Sequence, residues 1–192
     1  MADIAIQTDR TALVVIDLQK GIVQYPVKPH PAEAVVARAA ALAQAMRTAA
    51  GFVVLVRVAS HDGRDLLRPD ADMAPPNPTE RPADWSEIVP QLGPEVGDYV
   101  LTKRQWGAFY GTDLDLQLRR RNIDTIILCG IATGIGVDTT AREAYQRGYR
   151  QIFAVDAMSG VNPGEHEYVT STIFPRIGRV TTTQALVDRV LG

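Results

Sequence analysis

Only one cysteine, Cys129, occurs in the 192 residues, which excludes a disulfide framework and any zinc site built on cysteine pairs. The three histidines, His30, His61 and His166, show no His-x-His or His-x3-His spacing, so the pattern offers no metal site. Neither sign of charge dominates: 20 Lys and Arg face 22 Asp and Glu, and no basic field argues for nucleic acid. No apolar run approaches the ~18 residues of a membrane span. The opening MADIAIQTDR lacks a basic start followed by a long apolar core. No secretion signal is visible there, and a cytoplasmic location is expected. What remains is an ordinary globular composition, 46% hydrophobic and 22% charged. A chain of this size can bury roughly 70% of its unfolded surface without a covalent or metal staple. One domain spanning residues 1–192 is expected.

Short branched runs alternate with helical patterns. TALVVID (11–17) and FVVLVRV (52–58) read as buried strands. Between them Pro31 opens an Ala-rich helix, 32–50, with apolar positions at Val35, Val36, Ala39, Leu42, Ala43 and Met46, and Gly51 stops it. Residues 59–97 hold more than half of the twelve prolines and no sustained period, and a loop of that length is expected to serve function or a partner. Further strands are expected at 98–102, 124–129, 150–155 and 177–180. Helices are expected at 112–121, 133–146, 163–174 and 182–191, and Gly130 is expected to turn the chain after the fourth strand. Strands that are apolar on both faces, alternating with helices, predict a three-layer αβα fold. Its sheet should be mostly parallel and Rossmann-like, with about six strands.

In such sheets ligands bind beyond the carboxyl ends of the strands. Asp17 after the first strand, Lys103 after the third and the 130–140 turn after the fourth all fall there. Each has an ordinary alternative: Asp17 as a turn or cap residue, Lys103 as a surface charge beside Arg104. Brought together, a buried carboxylate and an ammonium would form a tunable acid–base pair. Gly134-Ile135-Gly136 gives half of a dinucleotide fingerprint, with Asp156 twenty residues on, but Thr139 occupies the third glycine position. The same turn reads alternatively as an anion nest of backbone N–H groups. Cys129 lies inside an apolar strand, where a free cysteine is a small core residue rather than a nucleophile. Trp106, Phe109 and Tyr110 belong either to the core or to the wall of a pocket.

The segments TALVVIDLQ, TKRQWGAFYGTDLDLQLRRRNIDTIILCGIATGIGVDTTAREAYQRGY and VDAMS resemble, in order and spacing, the isochorismatase-like hydrolases. The resemblance covers nearly the whole chain, and its closest likeness is to a bacterial branch without an established substrate. In the cysteine-hydrolase members an Asp, a Lys and a Cys form a triad. The resemblance puts the Asp at Asp17 and the Lys at Lys103. The family's G-(I/V)-x-T-x-x-C-V places the Cys position on Gly136, so the nucleophile is missing. The resemblance further implies a cis peptide at Ile131–Ala132 that orients backbone N–H groups as an oxyanion site. Nicotinamidase-type members bind a metal through an Asp-x-His that falls here on Val58, Ala59 and Ser60, so neither metal nor other cofactor is implied.

True isochorismatases also resemble this chain in having Gly at the helix start. They hydrolyse a vinyl ether to release pyruvate without a covalent intermediate, although they carry a Gln near the end of the second strand, where this chain has Arg57-Val58. By that likeness Asp17 would be the general acid. Lys103, the turn at Ile131, Ala132 and Gly136, and the walls at Trp106 and Phe109 would hold a small carboxylated or carbonyl substrate. A nearby Lys103 would oppose protonation of Asp17. Three functions are carried forward: a metal-independent, cysteine-free hydrolase, a catalytically inactive small-acid-binding or scaffold protein, and a nicotinamide-dependent oxidoreductase. The resemblance also implies a homo-oligomer, dimer or tetramer.

Overall fold

The computed structural model describes residues 6–73 and 81–192, so residues 1–5 and part of the 59–97 segment lie outside it. Six strands form one sheet: β1 (Thr11–Ile16), β2 (Phe52–Val58), β3 (Tyr99–Lys103), β4 (Thr125–Ile131), β5 (Arg150–Ser159) and β6 (Arg179–Thr181). Their order is β3-β2-β1-β4-β5-β6, with every neighbouring pair parallel. Parallel neighbours force each connection to cross a face of the sheet; among the described residues helices do so in every connection but that from β2 to β3, and all six residues of β1 are buried. The expected αβα layering is present, and the sheet is wholly parallel.

The period-2 alternation of the strands splits the core into two layers. Leu13, Val15, Val53 and Leu55 face one way and pack against α2 (Ala32–Thr48) and α7 (Thr183–Leu191). Val14, Ile16, Val54 and Val56 face the other and pack against α3 (Leu114–Arg120) and α4 (Asp138–Gln146). A single turn, α1 (Lys20–Val23), follows β1. Toward the far edge α5 (Pro163–Tyr168) and α6 (Phe174–Ile177) flank a wider π turn at Val169–Ile173. The uniform helix expected over 163–174 is thus broken. Phe174, at the start of α6, stacks on Phe153 at a centroid distance of 3.9 Å.

The expected turn at Gly130 does not occur there. β4 continues through it to Ile131, with a register irregularity against β5 between Leu128 and Gly130. Gly130 has φ +118°, and a Cβ would come within 2.1 Å of the Ile16 carbonyl oxygen. Only glycine brings β4 this close to the end of β1. The 59–97 segment is not wholly an outward excursion: Ile88, Val89 and Leu92 are buried beside α2. No described helix is long and apolar enough to cross a membrane.

Candidate active site

A doubly wound sheet of this order opens a crevice where connections diverge, between β1 and β4 at their carboxyl ends. Asp17 directly follows β1, and Lys103 is the last residue of β3. β2 lies between them, but the lysine stem spans that gap while staying buried, at 1% exposure. Its Nζ lies 2.8 Å from Asp17 Oδ2 and donates a second bond, of 2.5 Å, to the Trp106 carbonyl. The pairing that sequence spacing could not establish is present.

Asp17 occupies the left-handed region, at φ +53°, where Asp is tolerated better than most residues. Its own N–H donates to the Val56 carbonyl at 2.9 Å, anchoring it to β2. Among the described residues nothing hydrogen-bonds its buried Oδ1. Burial raises the Asp17 pKa, and the Lys103 ammonium opposes that rise without cancelling it. Of the two opposed effects expected here, burial is the larger.

After β4, the Ile131–Ala132 peptide is cis and leads into a π turn, Thr133–Val137, rather than directly into α4. The Ala132 carbonyl accepts from the N–H groups of both Ile135 and Val137. Gly136 lies over the ion pair: a Cβ there would be 3.0 Å from Lys103 Nζ and 3.3 Å from Asp17 Oδ2. The structure thus brings Asp17, Lys103 and Gly136 together, with Ile131 and Ala132 adjoining along the chain.

Trp106 joins them through its carbonyl, while most of its side chain is exposed. Phe109 does not join them. Its ring is buried, 5.7 Å from that of Tyr149, on the core side of its loop. Cys129 faces the α2 layer, and burial pushes its thiol up to about 12, which makes it inert. Asp156, placed by spacing as a ribose ligand, instead accepts from the N–H and hydroxyl of Thr183 at the start of α7. That removes the carboxylate on which a dinucleotide reading depends. At the positions matching the metal motif, Ser60 bonds Asp65 and the Gly63 N–H. Among the described residues no three His, Cys, Asp or Glu side chains gather as a metal site.

A separate cleft of about 450 Å³ lies at the opposite, amino ends of the strands, lined by residues such as Thr8, Arg47 and Asp98. Within it Arg47 bonds Asp98, and Arg47 also bonds Glu95 beside the lining. The carboxyl-end crevice holds the buried titratable pair and is the candidate for chemistry.

Sequence reasoning missed Thr140, whose hydroxyl bonds the Gly136 carbonyl and the Ala108 N–H. Its place four residues after Gly136, on one helical face, was the available signal. It also missed His166, buried with Nδ1 2.8 Å from the Thr133 hydroxyl. That contact joins α5 to the turn, and local spacing carries no trace of it.

Residues 11–185 match the isochorismatase domain family. The isochorismatase family protein YwoC of Bacillus subtilis (strain 168) is 54% identical over 191 residues, 99% of either chain. Among solved structures, an isochorismatase family protein from Burkholderia thailandensis aligns with a TM-score of 0.92 at 42% identity, covering 99% of this chain and 100% of that one. A cysteine hydrolase from Pseudomonas syringae pv. phaseolicola 1448A aligns with a TM-score of 0.82 at 29% identity, covering 99% and 98%.

Proposed function

Since this chain belongs to the isochorismatase family of hydrolases, we propose that residues 1–192 form one domain hydrolysing a small carboxylated or carbonyl substrate without a thiol nucleophile or a metal. Asp17 is the general acid/base and Lys103 its electrostatic partner. One observation carries this reading: a buried carboxyl held 2.8 Å from a buried ammonium by one oxygen, with the other oxygen unpartnered. A partnered oxygen fixes orientation, and a free one can exchange a proton with substrate.

Vinyl-ether hydrolysis uses these parts directly. Asp17 gives a proton to the terminal enol carbon, leaving an oxocarbenium ion. Water adds to that ion and returns a proton to Asp17, and the hemiketal collapses to pyruvate and an alcohol. Lys103 and the N–H groups around Ile131, Ala132 and Gly136 hold substrate carboxylates, while Trp106 walls the entrance. Glycine at 136 puts no side chain against the ion pair, where a Cβ would come 3.0 Å from Lys103 Nζ. On the family resemblance alone, the protein acts in the cytoplasm as a dimer or tetramer.

The test is pyruvate release from isochorismate by the wild-type protein and by Asp17→Asn. The expected result is release that falls about 100-fold or more in the variant, the size of a lost general acid. Release undiminished in Asp17→Asn would overturn the role of Asp17. No release by the wild type would exclude isochorismate and leave another small carboxylated or carbonyl substrate or the inactive, small-acid-binding alternative, which a thermal shift without turnover on small carboxylates would favour.

A further inference from the structure

We propose that Thr140 is a positioning residue that ties the Gly136 turn to the loop anchoring Lys103, and so holds the Asp17–Lys103 pair at contact distance. The inference rests on the reading of that pair as the reacting groups.

Thr140 is fully buried on α4, one turn beyond Gly136. Its hydroxyl donates to the Gly136 carbonyl at 2.6 Å. A threonine bonding the carbonyl four residues back is common in helices and by itself implies nothing. Here, however, the same oxygen also accepts the Ala108 N–H at 3.1 Å. A hydroxyl has one proton and two lone pairs, so one atom serves both loops of the site at once. Ala108 lies two residues beyond Trp106, whose carbonyl takes the second bond from Lys103 Nζ.

A neighbouring contact reinforces the arrangement. Glu143, three residues further along α4, accepts the Phe109 N–H at 3.2 Å. Consecutive loop amides therefore both point at the helix. Gly107 lets the loop lie this close, because a Cβ there would come within 2.1 Å of Glu143 Oε2 and 3.0 Å of the Thr139 methyl. The geometry forms a continuous path: Gly136 carbonyl, Thr140 hydroxyl, Ala108 amide, Trp106 carbonyl, Lys103 ammonium and Asp17 carboxylate. Without the hydroxyl, the Ala108 N–H loses its partner on α4, and the loop that carries the Trp106 carbonyl is held to that helix only through the neighbouring Phe109 N–H on Glu143.

The experiment is an NMR titration of the Asp17 carboxyl carbon in the full-length protein, with the resonance assigned by its loss in Asp17→Asn. Wild type, Thr140→Val and Thr140→Ser are compared, alongside thermal unfolding. Thr140→Val keeps the shape and removes the hydroxyl. The Asp17 midpoint is expected to rise by about half a pH unit or more, because the ammonium that opposes the effect of burial is less well held. Thr140→Ser is expected to titrate like wild type even where its melting temperature falls. A lowered melting temperature with an unmoved Asp17 midpoint in Thr140→Val would leave only a structural role and overturn the proposal. A shift in Thr140→Ser equal to that in Thr140→Val would also overturn it. If Thr140→Val does not fold, Thr140→Ala takes its place with the same expected rise in the Asp17 midpoint, and no shift overturns the proposal. The titration needs no substrate, so its failure is distinct from a failure of pyruvate release.

Discussion

Lys103→Met lowers stability by about 3–5 kcal/mol near neutral pH, the cost of removing one partner of a buried ion pair, and reduces turnover by about 1000-fold. Met roughly preserves the volume of the stem, so cavity formation is a minor part of the loss. The main effect falls on Asp17, which is left buried at 8% exposure with no counter-charge. The sign of the pH dependence follows from its pKa. Burial already raises Asp17 above its ordinary value, against the pull of Lys103, and removing that pull raises it further. A carboxyl whose folded pKa exceeds its unfolded one contributes stability below the unfolded value and loses it as pH rises through the folded value. The loss in the variant therefore extends to higher pH and is larger. Denaturant unfolding at a series of pH values should show a deficit, relative to wild type, that is smaller at about pH 5 than at about pH 8. A deficit independent of pH would mean that Asp17 is not the group left uncompensated.

Gly136→Cys creates a reactive thiol in a protein whose native cysteine is inert. The backbone at 136 lies outside the left-handed region, so it accepts a side chain without dihedral strain. The space is tight: the new Cβ meets Ile16 Cγ2 and Lys103 Nζ, both at 3.0 Å, and the neighbours must yield by a few tenths of an ångström. Placed beside an ammonium at the start of a helix, the thiolate is favoured and the thiol pKa falls below the free value. Each unit of fall raises the thiolate fraction about tenfold at pH values below that pKa. Alkylation by iodoacetamide at about pH 7 should therefore be at least tenfold faster in the variant than in the folded wild type. Cys129, buried and with its pKa pushed up to about 12, should not react until the chain unfolds. The added thiol also restores the nucleophile of the cysteine-hydrolase pattern, so an acyl-enzyme burst with an activated ester is expected. Equal alkylation rates in the two proteins would show that position 136 does not face the ammonium.

Sequence pattern determined the layered architecture because each of its signals is local. The Val- and Ile-rich runs at 11–17, 52–58 and 124–129 are apolar on both faces, and only a covered parallel sheet hides such strands. The helix expected over 32–50 rested on the spacing of Val35, Ala39, Leu42 and Met46, and all four are buried in the helix that forms, Ala32–Thr48. Asp17, Lys103 and the Gly136 turn could be assigned to the carboxyl edge, because that edge follows from strand direction alone. Local signals failed where a tertiary contact reset the backbone. β4 passes through Gly130 because it pairs with Ile16 on one side and Met158 on the other. Phe109 could be core or pocket wall by sequence, and its contact with Tyr149 made it core. Asp156 matched a cofactor spacing until α7 claimed its carboxylate.

What the chain by itself determined was which groups reach the working edge. The tertiary structure alone decided their distances and their dielectric. Asp17 and Lys103 are separated by 86 positions (103 − 17) in sequence, and no periodicity relates them. Their 2.8 Å contact, the solvent exclusion that raises the carboxyl, and the hydroxyl of Thr140 behind them exist only once strands from distant segments stand side by side. Electrostatic energy depends on separation and on the exclusion of water, and both are properties of the folded packing rather than of any stretch of chain.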